Sequence, residues 1–173
     1  GAAGILVSGG VLPGSVAPAA ANTITVLAGG SVATVDGVSG TAITTDYGIT
    51  NISNSGTITG NILLGRTPGS VTNNAGGTLV LGSQVTAASL QNSGTIRLQP
   101  GTTTLTGNFA QSGTGQLTFA FDGVNSHTLS IGPIAQVDGT VAPMDGTTLL
   151  PVTDTVLRAA SSLALSAATP QTY

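Results

Sequence analysis

Apolar side chains recur at every second position over short runs, and polar or small residues bound each run. Thr57-Ile58-Thr59, Thr78-Leu79-Val80-Leu81 and Thr95-Ile96-Arg97-Leu98 are representative. β-Branched and apolar residues in partial period-2 alternation predict short, half-buried strands. Asn-Ser-Gly or Asn-Asn-Ala-Gly-Gly stands before each strand. That is turn chemistry, because Asn and Gly tolerate positive φ.

The runs return at a fixed interval. Asn54-Ser55-Gly56-Thr57-Ile58 comes back as Asn73-Asn74-Ala75-Gly76-Gly77-Thr78-Leu79, then as Asn92-Ser93-Gly94-Thr95-Ile96, and loosely from Gln111 to Leu117. The leading polar residues fall at 54, 73, 92 and 111, three equal steps of 19 residues. Asp36-Gly37-Val38, 18 residues ahead of Asn54, is read as the preceding beat. A unit this short cannot bury its apolar face alone, so the units must stack as coils of a β-solenoid. Inward positions are expected at Ile52, Ile58, Ile62, Leu79, Leu81, Leu90, Ile96, Leu98, Leu105, Phe109 and Leu117. Eight or nine coils at about 4.8 Å each predict a rod of about 40 Å. The competing architecture is a β-sandwich with Thr-rich strands.

Beyond Gln116 the pattern changes. Leu117-Thr118-Phe119-Ala120-Phe121 alternates cleanly and Asp122-Gly123 follows as a turn signal. Strands are expected again at Thr128–Ile131, Gln136–Val141 and Leu149–Val152. They predict a hairpin-like C-terminal cap that covers the last coil and its strand edge. The expected organisation is an N-terminal extension or irregular first coil over 1–22 and a repeat region over 23–115. Capping strands over 116–157 and a linker or tail over 158–173 follow. Gly1 to Ala21 is apolar and small but lacks an initiator Met and a positive segment, so it is not read as a signal peptide. The chain is expected to be a processed piece of something longer.

Charge sharpens this picture. Only 5% of the 173 residues are charged, against about 25% in an ordinary soluble protein. Every acid is Asp, every base is Arg, and the strong helix formers Glu and Lys are absent. Like side chains from successive coils lie above one another in a solenoid. Charges would repel along such a column, whereas Thr, Ser and Asn pack or hydrogen-bond. A net charge of −3 with three scattered Arg offers no basic face, which disfavours nucleic acid as a partner. Zero Cys removes disulfides, thiolate metal sites and thiol catalysis. No apolar run reaches the roughly 18 residues of a membrane helix, so membrane insertion by this segment is not expected.

The coil sequence from Ile49 through Asn54-Ser55-Gly56 to Ile62 resembles that of bacterial autotransporter passenger domains. Gly107-Asn108-Phe109-Ala110-Gln111-Ser112-Gly113-Thr114-Gly115-Gln116-Leu117 is similar to the segment that closes those β-helices. His127-Thr128-Leu129-Ser130-Ile131, Val137-Asp138-Gly139-Thr140-Val141 and Val156-Leu157 continue it. The resemblance covers roughly residues 43–165 and is strongest from Gly107 onward. It implies an all-β, parallel right-handed β-helix, exported through the outer membrane of a Gram-negative bacterium and displayed or released there. The translocating barrel is not expected within this chain, since three Phe and two Tyr cannot supply its aromatic girdles.

Candidate chemistry is sparse. His127, the only histidine, stands near Asp122, Ser126 and Ser130. No Gly-x-Ser-x-Gly elbow accompanies it, and neighbours along one strand do not converge as a triad must. The pairs Asp36/Asp46 and Asp138/Asp145 are candidates for the paired carboxylates of a polysaccharide hydrolase. Asp36, Asp122, Asp138 and Asp145 each precede Gly, however, and read as turn residues. Calcium-binding Gly-Gly-x-Gly-x-Asp repeats are absent. Asn51-Ile52-Ser53 fits the glycosylation sequon, which chance produces easily in such a chain. Thr57-x-Thr59 and Thr102-Thr103-Thr104-x-Thr106 suggest the Thr ladders of ice-binding surfaces, but Val80 and Arg97 interrupt the register. No catalytic residue, cofactor or metal is therefore expected. The sequence predicts a non-enzymatic extracellular segment, a surface stalk or adhesin, with carbohydrate, a host surface or its own copies as candidate partners. A self-associating surface filament, or a β-helical protein that binds or degrades polysaccharide, is the alternative.

Overall fold

The computed structural model describes residues 3–8, 21–46, 48–119, 126–143 and 156–166. Every strand pair among them is parallel, and the strands stack as a β-helix with three faces. The first face carries β2 (Asn22–Val26), β5 (Thr50–Asn54), β7 (Ser70–Asn73), β9 (Ser89–Asn92), β12 (Asn108–Gln111), β15 (Ile134–Val137) and β18 (Ser162–Leu165). The second carries β3 (Ser31–Val32), the leading halves of β6 (Thr57–Leu63) and β8 (Thr78–Thr86), then β10 (Thr95–Leu98), β13 (Gln116–Phe119) and β16 (Thr140–Pro143). On the third lie β1 (Ile5–Val7), β4 (Thr41–Thr45), the trailing halves of β6 and β8, β11 (Gly101–Leu105), β14 (His127–Ile131) and β17 (Leu157–Ala159).

The second and third faces form one folded sheet because β6 and β8 run through the corner without a break. Their register shifts between Gly60 and Ile62, the bulge that turns the strand from one face to the next. Gly60 sits there at φ +123°, a conformation that an L side chain rarely adopts.

Alternation along each strand builds the core. Burial in β5 and β6 switches at every residue, and all eleven residues expected to point inward are at most 2% exposed. They align in columns. Ile52, Val71, Leu90, Phe109 and Ala135 are register partners on the first face, and Ile58, Leu79, Ile96 and Leu117 on the second. The small Ala135 beside the large Phe109 keeps the column filled without overpacking. Each fully buried Leu or Ile contributes about 1.5–3 kcal/mol relative to exposure.

Two expectations need correction. The strands described beyond residue 116 do not form a hairpin-like cap. β13, β14 and β15 pair in parallel both with the coil before and with β16, β17 and β18 after. Their apolar positions continue the core columns, so they stack as further rungs; Asp122-Gly123 lies outside the described residues. Asp36-Gly37-Val38 is not a beat either. The register partner of Asn54 is Val26, and Asp36 leads into a 3-10 turn, Gly37–Ser39, on an excursion between faces. The first face has seven strands among the described residues, and their six spacings of about 4.8 Å span about 29 Å. Rungs run from Ile5 to Leu165, on both sides of residues 22, 115 and 157.

Candidate functional site

The 19-residue interval has a cause inside the rod. Asn54, Asn73, Asn92 and Gln111 end β5, β7, β9 and β12, and none is more than 2% exposed. Asn54 Nδ2 donates to Asn73 Oδ1 at 2.7 Å, Asn73 Nδ2 to Asn92 Oδ1 at 2.8 Å, and Asn92 Nδ2 to Gln111 Oε1 at 2.9 Å. The same nitrogens also donate to main-chain carbonyls of the next coil. Asn54 reaches Thr78 O at 3.1 Å, Asn73 reaches Thr95 O at 3.2 Å, Asn92 reaches Gln116 O at 3.2 Å, and Gln111 Nε2 reaches Thr140 O at 3.1 Å. The first acceptor, Asn54 Oδ1, takes the Gly56 N–H at 3.2 Å. The amides therefore run one way along the rod and are satisfied at both ends. In the flanking coils the position holds Val26 and Val137, which need no partner.

These residues are not the positive-φ turn residues expected from the sequence. Among the described residues no non-glycine has positive φ. Gly76 does take φ +83°, but Gly94 is required for a different reason. A Cβ there would be driven into the Gly77 and Asn74 carbonyls and to 2.8 Å from Asn73 Nδ2. The corner glycine lets one coil settle directly on the last.

The sequence-nominated chemistry does not assemble. His127 opens β14 fully buried, facing inward with Leu129 and Ile131, its ring 6.1 Å from that of Phe119. Ser130 alternates to the outer side of the same strand, and Ser126 is exposed one residue before it. Asp122 and Asp145 lie outside the described residues. Asp36, Asp46 and Asp138 are exposed at separate corners, and among the described residues no three His, Asp or Glu gather as a metal site would need. Asn51 is in β5, where its Oδ1 accepts from the Ser70 N–H and hydroxyl, both at 3.0 Å.

Outside, the faces present polar columns. Thr57, Thr78, Thr95, Gln116 and Thr140 are register partners on the second face, and beside them run Thr59, Val80, Arg97, Thr118 and Ala142. The first column is thus Thr over three rungs, while the second is broken at Val80 and Arg97. Thr102 and Thr104 are exposed, but Thr103 turns inward and its hydroxyl donates to Gly82 O at 2.8 Å. A shallow open depression of about 580 Å³ lies along Thr95, Arg97, Gln116, Thr118, Thr140 and Ala142. A second, of about 570 Å³, includes Asp46 and Arg66 at the edge of the third face.

Sequence reasoning found the column residues but missed the amide ladder. Its signal was present: every residue on the 19-residue beat carries a carboxamide. In comparisons with known proteins, the chain matches no family model, no curated protein and no solved structure.

Proposed function

We propose that this chain is a segment of an extracellular, non-enzymatic β-helical passenger, acting as a stalk or adhesive surface on a Gram-negative bacterium. The observation that carries this reading is the outer surface. One column of the second face, Ser31, Thr57, Thr78, Thr95, Gln116 and Thr140, is polar on every described rung, and the first face adds columns rich in Thr, Ser, Asn and Gln. Flat polar columns repeated at about 4.8 Å suit shallow, polyvalent contact. The resemblance of residues 49–62 and 107–117 to autotransporter coils supports the surface location. Intact cells carrying the parent gene are expected to bind an antibody raised against this segment and to lose the signal after external protease. Staining that arises only after lysis would refute the location.

A second reading, a subunit of a self-associating filament, is favoured by one observation. Leu163 and Leu165 occupy core columns opposite Ala135 and Val137 yet are 41% and 63% exposed. Another copy stacking there would bury them. Sedimentation that rises with concentration, and that Leu165→Asp suppresses, is the expected sign. Concentration-independent sedimentation of the unmodified chain would remove this reading.

A further inference from the structure

We propose that the second face across β10, β13 and β16 is a groove for an acidic oligosaccharide, with Arg97 gripping a sugar carboxylate. The inference rests on the adhesive-surface reading and gives that surface a ligand class. Its position comes from three features that coincide on one patch.

The first is shape. The depression follows three successive rungs, with Thr95, Gln116 and Thr140 in one column and Arg97, Thr118 and Ala142 in the other. The rung spacing, about 4.8 Å, is close to the length of one sugar unit in an extended glycan, so successive sugars meet successive rungs. The second is charge. Arg97 is exposed, and among the described residues no hydrogen bond or ion pair engages its guanidinium. No outward position of the described strands of this face, from Ser31 to Ala142, is acidic; Asp138 stands at the corner before β16. Arg66, by contrast, shares its depression with Asp46. The third is access. Thr118 and Ala142, the next two residues in the Arg97 column, are small and leave the planar fork open to a planar carboxylate.

The division of labour follows from the side chains. The guanidinium donates two parallel N–H bonds to the carboxylate, which a neutral sugar cannot accept in the same way. The Gln116 amide and the Thr95 and Thr140 hydroxyls meet sugar hydroxyls in the neighbouring column.

The test is a low-salt titration of the full chain with a galacturonic acid hexamer, followed by amide NMR, with cellohexaose as the neutral comparison. Shifts are expected at Thr95, Arg97, Gln116 and Thr118 for the uronate, weakening as salt is added. Arg97→Gln should reduce affinity by about tenfold or more while unfolding like the parent, and Arg158→Gln should leave it unchanged. Three results would each overturn the groove. They are equal response to both hexamers, uronate binding that survives Arg97→Gln, and equal loss in Arg158→Gln. Release of new reducing ends in the same samples is a separate outcome: it would overturn the non-enzymatic reading while leaving the groove in place.

Discussion

Replacing Asn73 by Ala removes the middle of the amide ladder. The side chain donates to Asn92 Oδ1 at 2.8 Å, to Thr95 O at 3.2 Å and to Gly77 O at 3.2 Å, and accepts from Asn54 Nδ2 at 2.7 Å. Asn54 Nδ2 keeps Thr78 O, and Gly77 O keeps the Thr95 N–H. Asn92 Oδ1 loses its ladder donor in a fully enclosed site. Desolvating that acceptor without a partner costs about 1–3 kcal/mol, and each net hydrogen bond lost costs about 0.5–1.5 kcal/mol. With incomplete collapse around the truncated side chain, a loss of about 3–5 kcal/mol is expected, a large share of a typical domain's stability. Urea unfolding followed by far-UV circular dichroism reads it directly. Asn108→Ala, at an exposed position of β12, is the control and should stay within about 0.5 kcal/mol.

Asn73→Asp makes the same argument with a sign. A carboxylate there accepts from Asn54 Nδ2 but faces the lone pairs of Asn92 Oδ1, whereas the protonated acid donates to it. Burial and lone-pair repulsion both raise the folded-state pKa above the unfolded value near 4. The folded state then holds its proton longer. Stability is retained below the unfolded pKa and lost as pH rises through the folded one. The variant should therefore be several kcal/mol weaker than the parent at pH 7 and recover most of that difference near pH 4. A cost below about 1 kcal/mol for Asn73→Ala, or a pH-independent deficit for Asn73→Asp, would refute the ladder as the device that holds the coils in register.

Further predictions concern backbone and core. Gly94→Ala should destabilise by several kcal/mol, since its Cβ meets main-chain atoms of the previous coil. Gly113→Ala, with nothing within 4 Å and no positive φ, should be neutral or slightly stabilising in the same urea series. Gly76→Ala has open space but φ +83°, so about 1–2 kcal/mol of strain is expected. Leu90→Ala, in a fully buried column beside Val71 and Phe109, should cost about 2–5 kcal/mol by the same measurement. Thr103→Val keeps the shape but removes the hydroxyl bonded to Gly82 O, and about 1 kcal/mol is expected in thermal melts.

The apolar pattern was legible because it is local. Period-2 alternation places Ile58, Leu79 and Ile96 on one side of their strands whatever surrounds them, and a short repeat has no way to bury that side except by stacking. The polar ladder was not, because the sequence signal for Asn before Ser-Gly is the same for a solvated turn as for a buried amide. The beat itself hinted at the difference. Thr57, Thr78, Thr95 and Gln116 are register partners at unequal steps of 21, 17 and 21 residues. The amides hold a constant 19. A turn residue has no reason to be more regular than the strand after it. A side chain that must reach its counterpart one coil on does.

The Arg97 groove shows the same division. The sequence marks Arg97 as a break in a Thr column, and its strand position follows from alternation. That Thr118, Thr140 and Ala142 lie beside it depends on the lengths of the intervening corners, which composition does not dictate.

By itself the sequence determined the class of fold, the inward residues and the near-absence of charge, each a consequence of short-range periodicity or composition. Only the tertiary structure decided that Asn54, Asn73, Asn92 and Gln111 are buried in one hydrogen-bonded line, and that the described strands beyond residue 116 continue as parallel rungs. Both depend on which coil sits on which. A carboxamide is a solvated cap or a buried link according to whether another carboxamide lies within about 3 Å of it, and stacking alone sets that distance.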